Sequence, residues 1–232
     1  MTSRIAIIPA RGGSKRIPDK NIRDFCGKPV IAHTLDAARE SGLFDIIHVS
    51  TDSTKIAQVV TGLGFQPDFL RPPEFAQDST PIVPVMRYVL EEYRRRGRAF
   101  DQACLLYACA PLIEPADLRA AAKMFDDLGG IKVVLAVTPF AVPIEWAYRL
   151  GPDGAMTPVQ PGMFNVRSQD LPTSYHDTGS FAFFPAGRLL DDRPHDERDF
   201  HGFALARYKA VDIDDSEDWT LAEILYRGRR AD

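Results

Sequence analysis

Apolar residues in this chain come in short blocks separated by polar loops, and the spacing within the blocks switches between strand and helix periods. Arg4-Ile-Ala-Ile-Ile8 is a short apolar run ending at Pro9, which predicts a strand buried on both faces. From Pro29 to Glu40 the apolar positions Val30, Ile31, Leu35 and Ala38 recur at helical spacing, and Pro29 suits a first turn. Ile46 to Ser50 predicts a second strand, and Asp52 or Ser53 can cap a following helix that carries Ile56, Val59 and Val60. A long amphipathic helix is expected from about Pro81 to Arg98, with Val85, Val89 and Tyr93 on one side. Ala103 to Tyr107 predicts a third strand, Pro115 to Leu128 a helix, and Lys132 to Val137 a fourth strand. Regular alternation of strand and helix argues for an α/β fold, a Rossmann-like, mostly parallel sheet with helices on both faces.

The alternation breaks over residues 139–178, which hold six prolines and no sustained period. A segment of that length is too long for a simple connection and predicts an excursion from the sheet, a lid or an oligomer contact. Regular structure is expected again at Ser180-Phe-Ala-Phe-Phe184, then in a strand over Ala206 to Ile213 and a last helix over Asp215 to Tyr226. Phe181, Phe183 and Phe184 read as core. Asp215 suits the cap of the last helix, with Asp218 at its third position. No repeat, low-complexity tract or linker divides the chain, so a single domain over 1–232 is expected.

Composition narrows the class. Hydrophobic residues make up 45% and charged residues 26%, the balance of a water-soluble globular chain. The net charge of −4 gives no overall positive field for a nucleic acid. No apolar run approaches the roughly 20 residues that span a bilayer, and the start of the chain has no signal-peptide pattern. The three cysteines, Cys26, Cys104 and Cys109, form no CxxC pair, and five histidines (His33, His48, His176, His195, His201) show no zinc-ligand spacing. Glu91 to Arg98 is a charged helix end that reads as a solvated face. A cytoplasmic α/β enzyme without membrane or nucleic-acid partners is what these features leave.

The sharpest chemical signal is Ile8-Pro-Ala-Arg-Gly-Gly-Ser-Lys-Arg-Ile-Pro-Asp-Lys-Asn21, directly after the first strand. Loops at the carboxyl ends of parallel strands are where such sheets bind ligands. Gly12 and Gly13 let backbone amides approach an anion, and Arg11, Lys15, Arg16 and Lys20 surround the same spot with positive charge. A polyphosphate fits this loop; a solvated basic turn is the plain alternative. Neither GxxxxGK[ST] nor GxGxxG is present.

The same stretch resembles the N-terminal signature of the acylneuraminate cytidylyltransferases, which activate nine-carbon acidic sugars as CMP derivatives for cell-surface glycan biosynthesis. The similarity continues through Phe25-Cys-Gly-Lys-Pro29, Val49-Ser-Thr-Asp52, Phe69-Leu-Arg-Pro72 and Val211-Asp-Ile-Asp214, and so runs from Ile5 to Trp219. Tyr107-Ala-Cys-Ala-Pro111 and Asn165-Val-Arg-Ser-Gln-Asp-Leu-Pro172, followed by Tyr175-His-Asp-Thr-Gly179, are most similar to the pseudaminic acid branch. Where those members read Asp-Ala-Gly-Gln-Phe-Tyr-Trp, this chain reads Asp177-Thr-Gly-Ser-Phe-Ala-Phe183. The resemblance implies a nucleotide-diphospho-sugar transferase type of fold, a homodimer built on the excursion, and CTP and an acidic nine-carbon sugar as substrates. It implies formation of CMP-pseudaminic acid and pyrophosphate by in-line attack of the anomeric hydroxyl on the α-phosphate. The same reaction on N-acetylneuraminic, legionaminic or ketodeoxyoctonic acid stays open, as does a nucleotide sensor without turnover.

Residue roles follow in part from chemistry and in part from that resemblance. Asp212 and Asp214 stand two apart in an expected strand, so both carboxylates face one way, a donor set suited to Mg2+. The resemblance makes this pair the metal site and, with Arg11 and Lys20, the catalytic group. It assigns the nucleotide to Ala10, Arg11, Gly12, Gly13, Lys20, Asn21, Arg71, Ser79, Thr80 and Tyr107. Ser79 and Thr80 can equally be helix caps, and Tyr107 stands where many sialic acid members carry a cytosine-reading glutamine. The sugar is expected around Arg167, Gln169, His176, Asp177, Thr178, Gly179 and Phe181. Arg167 suits a carboxylate or a rim salt bridge; His176 suits a proton shuttle or a structural hydrogen bond.

Overall fold

The computed structural model describes residues 2–191 and 199–229; Met1 and His195 lie outside them. Ten strands occur among the described residues: β1 (Arg4–Pro9), β2 (Asp24–Phe25), β3 (Lys28–Pro29), β4 (Ile46–Ser50), β5 (Gln102–Leu106), β6 (Val133–Pro139), β7 (Tyr148–Leu150), β8 (Met156–Pro158), β9 (Tyr175–Pro185) and β10 (Phe200–Ala204). Six α-helices accompany them: α1 (Val30–Ser41), α2 (Thr54–Gly62), α3 (Ile82–Arg95), α4 (Pro115–Asp127), α5 (Ala186–Leu190) and α6 (Ser216–Gly228). One six-stranded sheet runs β10-β6-β9-β5-β1-β4, and β2-β3 and β7-β8 form separate two-stranded ribbons. Every neighbouring pair in the large sheet is parallel except the two that involve β9. No helix among the described residues is long and apolar enough to cross a membrane.

Period-two alternation sorts the strand side chains between two cores. Ile5, Ile7, Ala103, Leu105, Ala182 and Phe184 pack with Met86, Val89, Leu90 and Tyr93 of α3 on one face. Ile8, Cys104, Leu106, Phe181 and Phe183 pack on the other face with Ile31 and Leu35 of α1, Ile56 of α2 and Phe125 of α4. The fully buried aromatic anchors contribute most here, since truncating such a phenylalanine to alanine costs about 3–5 kcal/mol. A third cluster lies off the sheet and matters more for function. It joins Ile17 of the basic loop, Ile213 between the two aspartates, Cys109 beyond β5, and Trp219 and Tyr226 of α6.

Three expectations need correcting. The strand expected to resume at Ser180 begins at Tyr175, because a bulge interrupts it. Pairing with β6 jumps from Ala182 opposite Leu135 to Asp177 opposite Val137, and Gly179 in between has φ +59°. Those unpaired residues hide the alternation. The excursion is accordingly shorter, with β7, β8 and single turns of 3-10 helix.

The strand expected over Ala206 to Ile213 is absent. The edge strand β10 lies earlier, over Phe200–Ala204, and Arg207–Lys209 is a turn of 3-10 helix. Lys209 supplies the physical reason, since its ammonium reaches Glu114 at 2.6 Å and Asp117 at 2.8 Å and draws the chain away from the sheet. Finally, α3 starts at Ile82 with Pro81 in the cap position and no side-chain cap, so neither Ser79 nor Thr80 is a helix cap. The other ends fall where local chemistry puts them. Ser53 caps α2 by accepting from the Ile56 amide, and Asp215 and Asp218 form a reciprocal capping box on α6.

Candidate active site

A cleft with a cavity volume of about 280 Å3 opens beyond β1 and β5, with Pro9, Tyr107 and Ala108 on its floor. The basic loop forms one wall and the 212–214 segment another. Arg11, Lys15, Arg16, Lys20 and Arg71 bring five cationic side chains to the lining, facing the carboxylates of Asp78, Asp212 and Asp214. The third cluster explains this meeting of distant residues. Ile17 and Ile213 are both buried in it, so the loop cations and the two aspartates are carried on one packed unit.

Asp212 and Asp214 face the cleft although no strand ladder holds them, because buried Ile213 between them points the other way. Their environments differ. Asp214 pairs with Arg16 at 2.9 Å and with the Lys20 ammonium at 3.4 Å, and Lys20 also donates to the Ile213 carbonyl. Asp212 makes no ion pair among the described residues, and its surface stays open to solvent. Enclosure by the cleft walls, and next the charge of Asp214, raises its carboxyl above the ordinary range, with Lys20 opposing. Gly179 of the β9 bulge packs against Asp212 and also lines the cleft.

Other expected nucleotide contacts have partners within the protein. The Gly12 amide donates to the Asp52 carboxylate at 3.0 Å, so that donor is engaged. Gly13 is exposed with open space where a side chain would be. Ala10 is fully buried and its amide donates to the Ser50 carbonyl, placing it under the loop rather than in the cleft. Asn21 clasps the loop from below. Its amide nitrogen donates to the Arg11 carbonyl at 3.0 Å, and its oxygen accepts from the Cys109 thiol at 3.4 Å. Arg71 is buried and donates to the Ser50 hydroxyl at 3.1 Å and carbonyl at 2.5 Å; desolvation lowers its pKa to about 10. Thr80 lines the cleft, whereas Ser79 is exposed outside it. Tyr107 presents its side chain to the cleft with its phenol pushed up to about 12, first by burial and then by Asp177 and Asp212. Its backbone amide is engaged by the Ser180 carbonyl.

The expected sugar residues divide more sharply. Gly179 lines the cleft, and Asp177 is near enough for its charge to act on Tyr107 and Asp212. Phe181 does not reach it, being 1% exposed and packed in the core. Thr178 is buried too, its hydroxyl donating to the Ala136 carbonyl at 3.0 Å. His176 is exposed outside the cleft, its ring 4.7 Å from Phe140 and its Nδ1 2.8 Å from the Asp177 carbonyl. Arg167 closes a rim salt bridge with Asp170 at 2.8 Å, and Gln169 is exposed beside it; neither belongs to the cleft lining. Asp52, expected only as a possible helix cap, and Asp78 take part in the site through partners distant in sequence. They pair with residues 40 and 67 positions away, and no local pattern signals such partners.

Comparison with known proteins adds the family. The cytidylyltransferase family model matches residues 5–140. A pseudaminic acid cytidylyltransferase of Campylobacter jejuni is 36% identical over 227 residues, covering 96% of both chains. A CMP-N,N'-diacetyllegionaminic acid synthase of Legionella pneumophila is 31% identical over 225 residues, covering 95% of both. The fold is that of CMP:2-keto-3-deoxy-manno-octonic acid synthetase, solved in complex with CTP. That structure superposes with a TM-score of 0.74 over 98% of this chain and 100% of its own, at 16% identity. A match over more than half of this sequence, joined to near full-length relatives and a cleft of loop cations facing paired aspartates, places the chain in the cytidylyltransferase family as a nucleotidyltransferase.

Proposed function

We propose that the protein works as one nucleotidyltransferase unit that couples CTP to pseudaminic acid, giving CMP-pseudaminic acid and pyrophosphate. The observation that carries this reading is the confrontation of Arg11, Lys15 and Lys20 with Asp212 and Asp214 across one cleft. The anomeric hydroxyl attacks the α-phosphorus in line and gives up its proton to solvent, the bond from the α-phosphorus to the oxygen bridging the β-phosphate breaks, and pyrophosphate leaves. Negative charge grows on the phosphate oxygens and the leaving group, and fixed cations lower that barrier without reorganising. Arg11 and Lys20 supply this charge. Asn21 holds the loop at the right height through the Arg11 carbonyl.

Enzymes of this type work with a divalent cation, and Mg2+ is our assignment. The donor set fits. Two carboxylates face one space, Asp212 carries no competing ion pair among the described residues, and Mg2+ characteristically takes one or two carboxylates and completes its shell with waters and substrate phosphates. When bound there it would supply positive charge to the phosphate oxygens.

The pseudaminic assignment draws on the C. jejuni relative and on where this chain departs from that branch. Thr178, Ser180, Ala182 and Phe183 replace Ala, Gln, Tyr and Trp, yet all four are buried at 2% exposure or less. The departures therefore repack the interior under Gly179. The L. pneumophila relative keeps legionaminic acid as the second reading.

The excursion supports a homodimer. Leu150 is 74% exposed and Phe164 73%, with Val142 and Met156 near 60%. A second copy that covers this surface removes it from water. Three free cysteines and a nucleotide substrate suit the reducing cytoplasm.

Pyrophosphate release with CTP and Mg2+ tests the reading against pseudaminic, legionaminic, N-acetylneuraminic and ketodeoxyoctonic acids. Turnover of pseudaminic acid above the others is expected. Preference for another member would replace the sugar and keep the chemistry. CTP binding with silence across the panel would favour a sensor without turnover.

A further inference from the structure

Asp78 joins two parts of the cleft, the glycine-rich loop and the 73–80 segment. Its carboxylate accepts from the Arg11 guanidinium and pairs with the Lys15 ammonium, the two cations at the front of the glycine-rich loop. It lies on the segment that also presents Phe75, Gln77 and Thr80 to the cleft, after the 3-10 turn Pro73–Phe75. The Thr80 amide donates to the Gln77 carbonyl at 3.1 Å, so Asp78 sits on a closed turn aimed at the loop. Lys15 first and then Arg11 hold its carboxyl below the ordinary carboxylate range. Asp78 caps no helix, because Pro81 occupies that position in front of α3.

A carboxylate bridging an arginine and a lysine makes the contacts that a phosphate makes with the same pair. We propose that Asp78 competes with the triphosphate of the nucleotide for Arg11 and Lys15, so that the 73–80 segment is latched across the cleft by these pairs. The segment is released when CTP takes the cations and is recaptured as pyrophosphate leaves. Asp78 thereby sets nucleotide affinity and product release, while the reaction itself stays with Arg11, Lys20 and the aspartate pair. The inference rests on the cytidylyltransferase reading of the cleft.

The side chain is exposed, so the competition is modest and screened by salt. Asp78→Asn is expected to bind CTP roughly two- to five-fold tighter by calorimetry at low salt, the range typical of exposed pairs. Inorganic pyrophosphate should inhibit the variant at correspondingly lower concentration, and the gain should shrink in high salt. Asp78→Ala serves as the second variant. Tighter binding is an informative readout, because damage to the fold weakens affinity. If wild type binds CTP while both variants bind CTP and pyrophosphate no tighter, the latch is wrong. If wild type binds no CTP, the reading of the cleft fails and the latch fails with it.

Discussion

Gly179 runs so close to Asp212 that a Cβ placed on it would stand 2.6 Å from the carboxylate carbon and within 2.9 Å of both carboxylate oxygens. Such contacts are shorter than carbon atoms tolerate. Gly179 also has φ +59°, a conformation that L side chains adopt only at a cost. The bulge in β9 therefore provides a bare strip of backbone against which one member of the aspartate pair is seated.

Gly179→Ala should displace Asp212 while leaving the sheet intact, since the residues on either side stay paired or buried. Misplacing a catalytic group by about 1 Å costs on the order of a hundredfold in rate. A fall of that size in pyrophosphate release is expected, with far-ultraviolet circular dichroism unchanged. Turnover within a few-fold of wild type would show that Asp212 need not sit where Gly179 allows it.

Asp214 tests the other half of the pair. Its pair with Arg16 is largely exposed and of the kind that contributes little to stability, and the less exposed Lys20 keeps its bond to the Ile213 carbonyl when the Asp214 charge is removed. Asp214→Asn should therefore melt within a few degrees of wild type while losing about a hundredfold or more in turnover, the scale of removing one electrostatic contact to the transition state. An active, folded variant with unchanged Mg2+ dependence would remove Asp214 from the mechanism.

These two residues also show what a sequence can and cannot disclose. Asp212 and Asp214 do share a face, as their spacing predicts, but through a different cause. Ile213 is anchored in a cluster built from Ile17, Cys109 and Trp219, and no strand is involved. Helix ends were legible because caps act over three or four residues, as with Ser53 on Ile56 and Asp215 on Asp218. Strand order was not, because β9 enters between β5 and β6 against their direction and its pattern is broken at Gly179. The same limit separates Arg11, visible in its motif, from Asp78, its partner 67 residues away. Phe181 illustrates the reverse error. Gly179 two positions earlier lines the cleft, but it belongs to the bulge, and beyond it the Phe181 ring packs in the core.

His48 gives a prediction in pH. It is buried on β4, with Nδ1 3.1 Å from the Tyr93 hydroxyl, which itself bonds to Asp68, and with Nε2 unpartnered among the described residues. Burial chiefly lowers its pKa from 6.5 to about 4; Arg71 and Arg96 push the same way and Asp68 opposes. The unfolded chain then binds the proton more tightly than the folded one. Stability from this group is complete above about pH 6.5 and is lost as pH falls through that value toward 4. The whole effect is on the order of 3 kcal/mol. In urea titrations at pH 7, 5.5 and 4.5, wild type should lose stability faster than His48→Leu, so the difference between them changes steadily with pH. A constant difference would mean that His48 charges without penalty.

The excursion supplies the last test. Leu150 on β7 and Met156 on β8 face water from the same ribbon, and Phe164 is equally bare on a neighbouring turn. Three large side chains left this exposed lose hydrophobic free energy that association recovers, at about 25 cal/mol per Å2 of apolar surface covered. Light scattering after gel filtration should therefore find a dimer for wild type. Phe164→Asp, which adds a charge to that surface without touching the sheet, should shift it toward monomer at micromolar concentration. If the sugar pocket is finished by the second copy, turnover falls with dimer content and recovers as protein concentration rises. A variant that is monomeric and fully active would confine the excursion to assembly, and a wild type that is monomeric at all concentrations would assign this surface to a different partner.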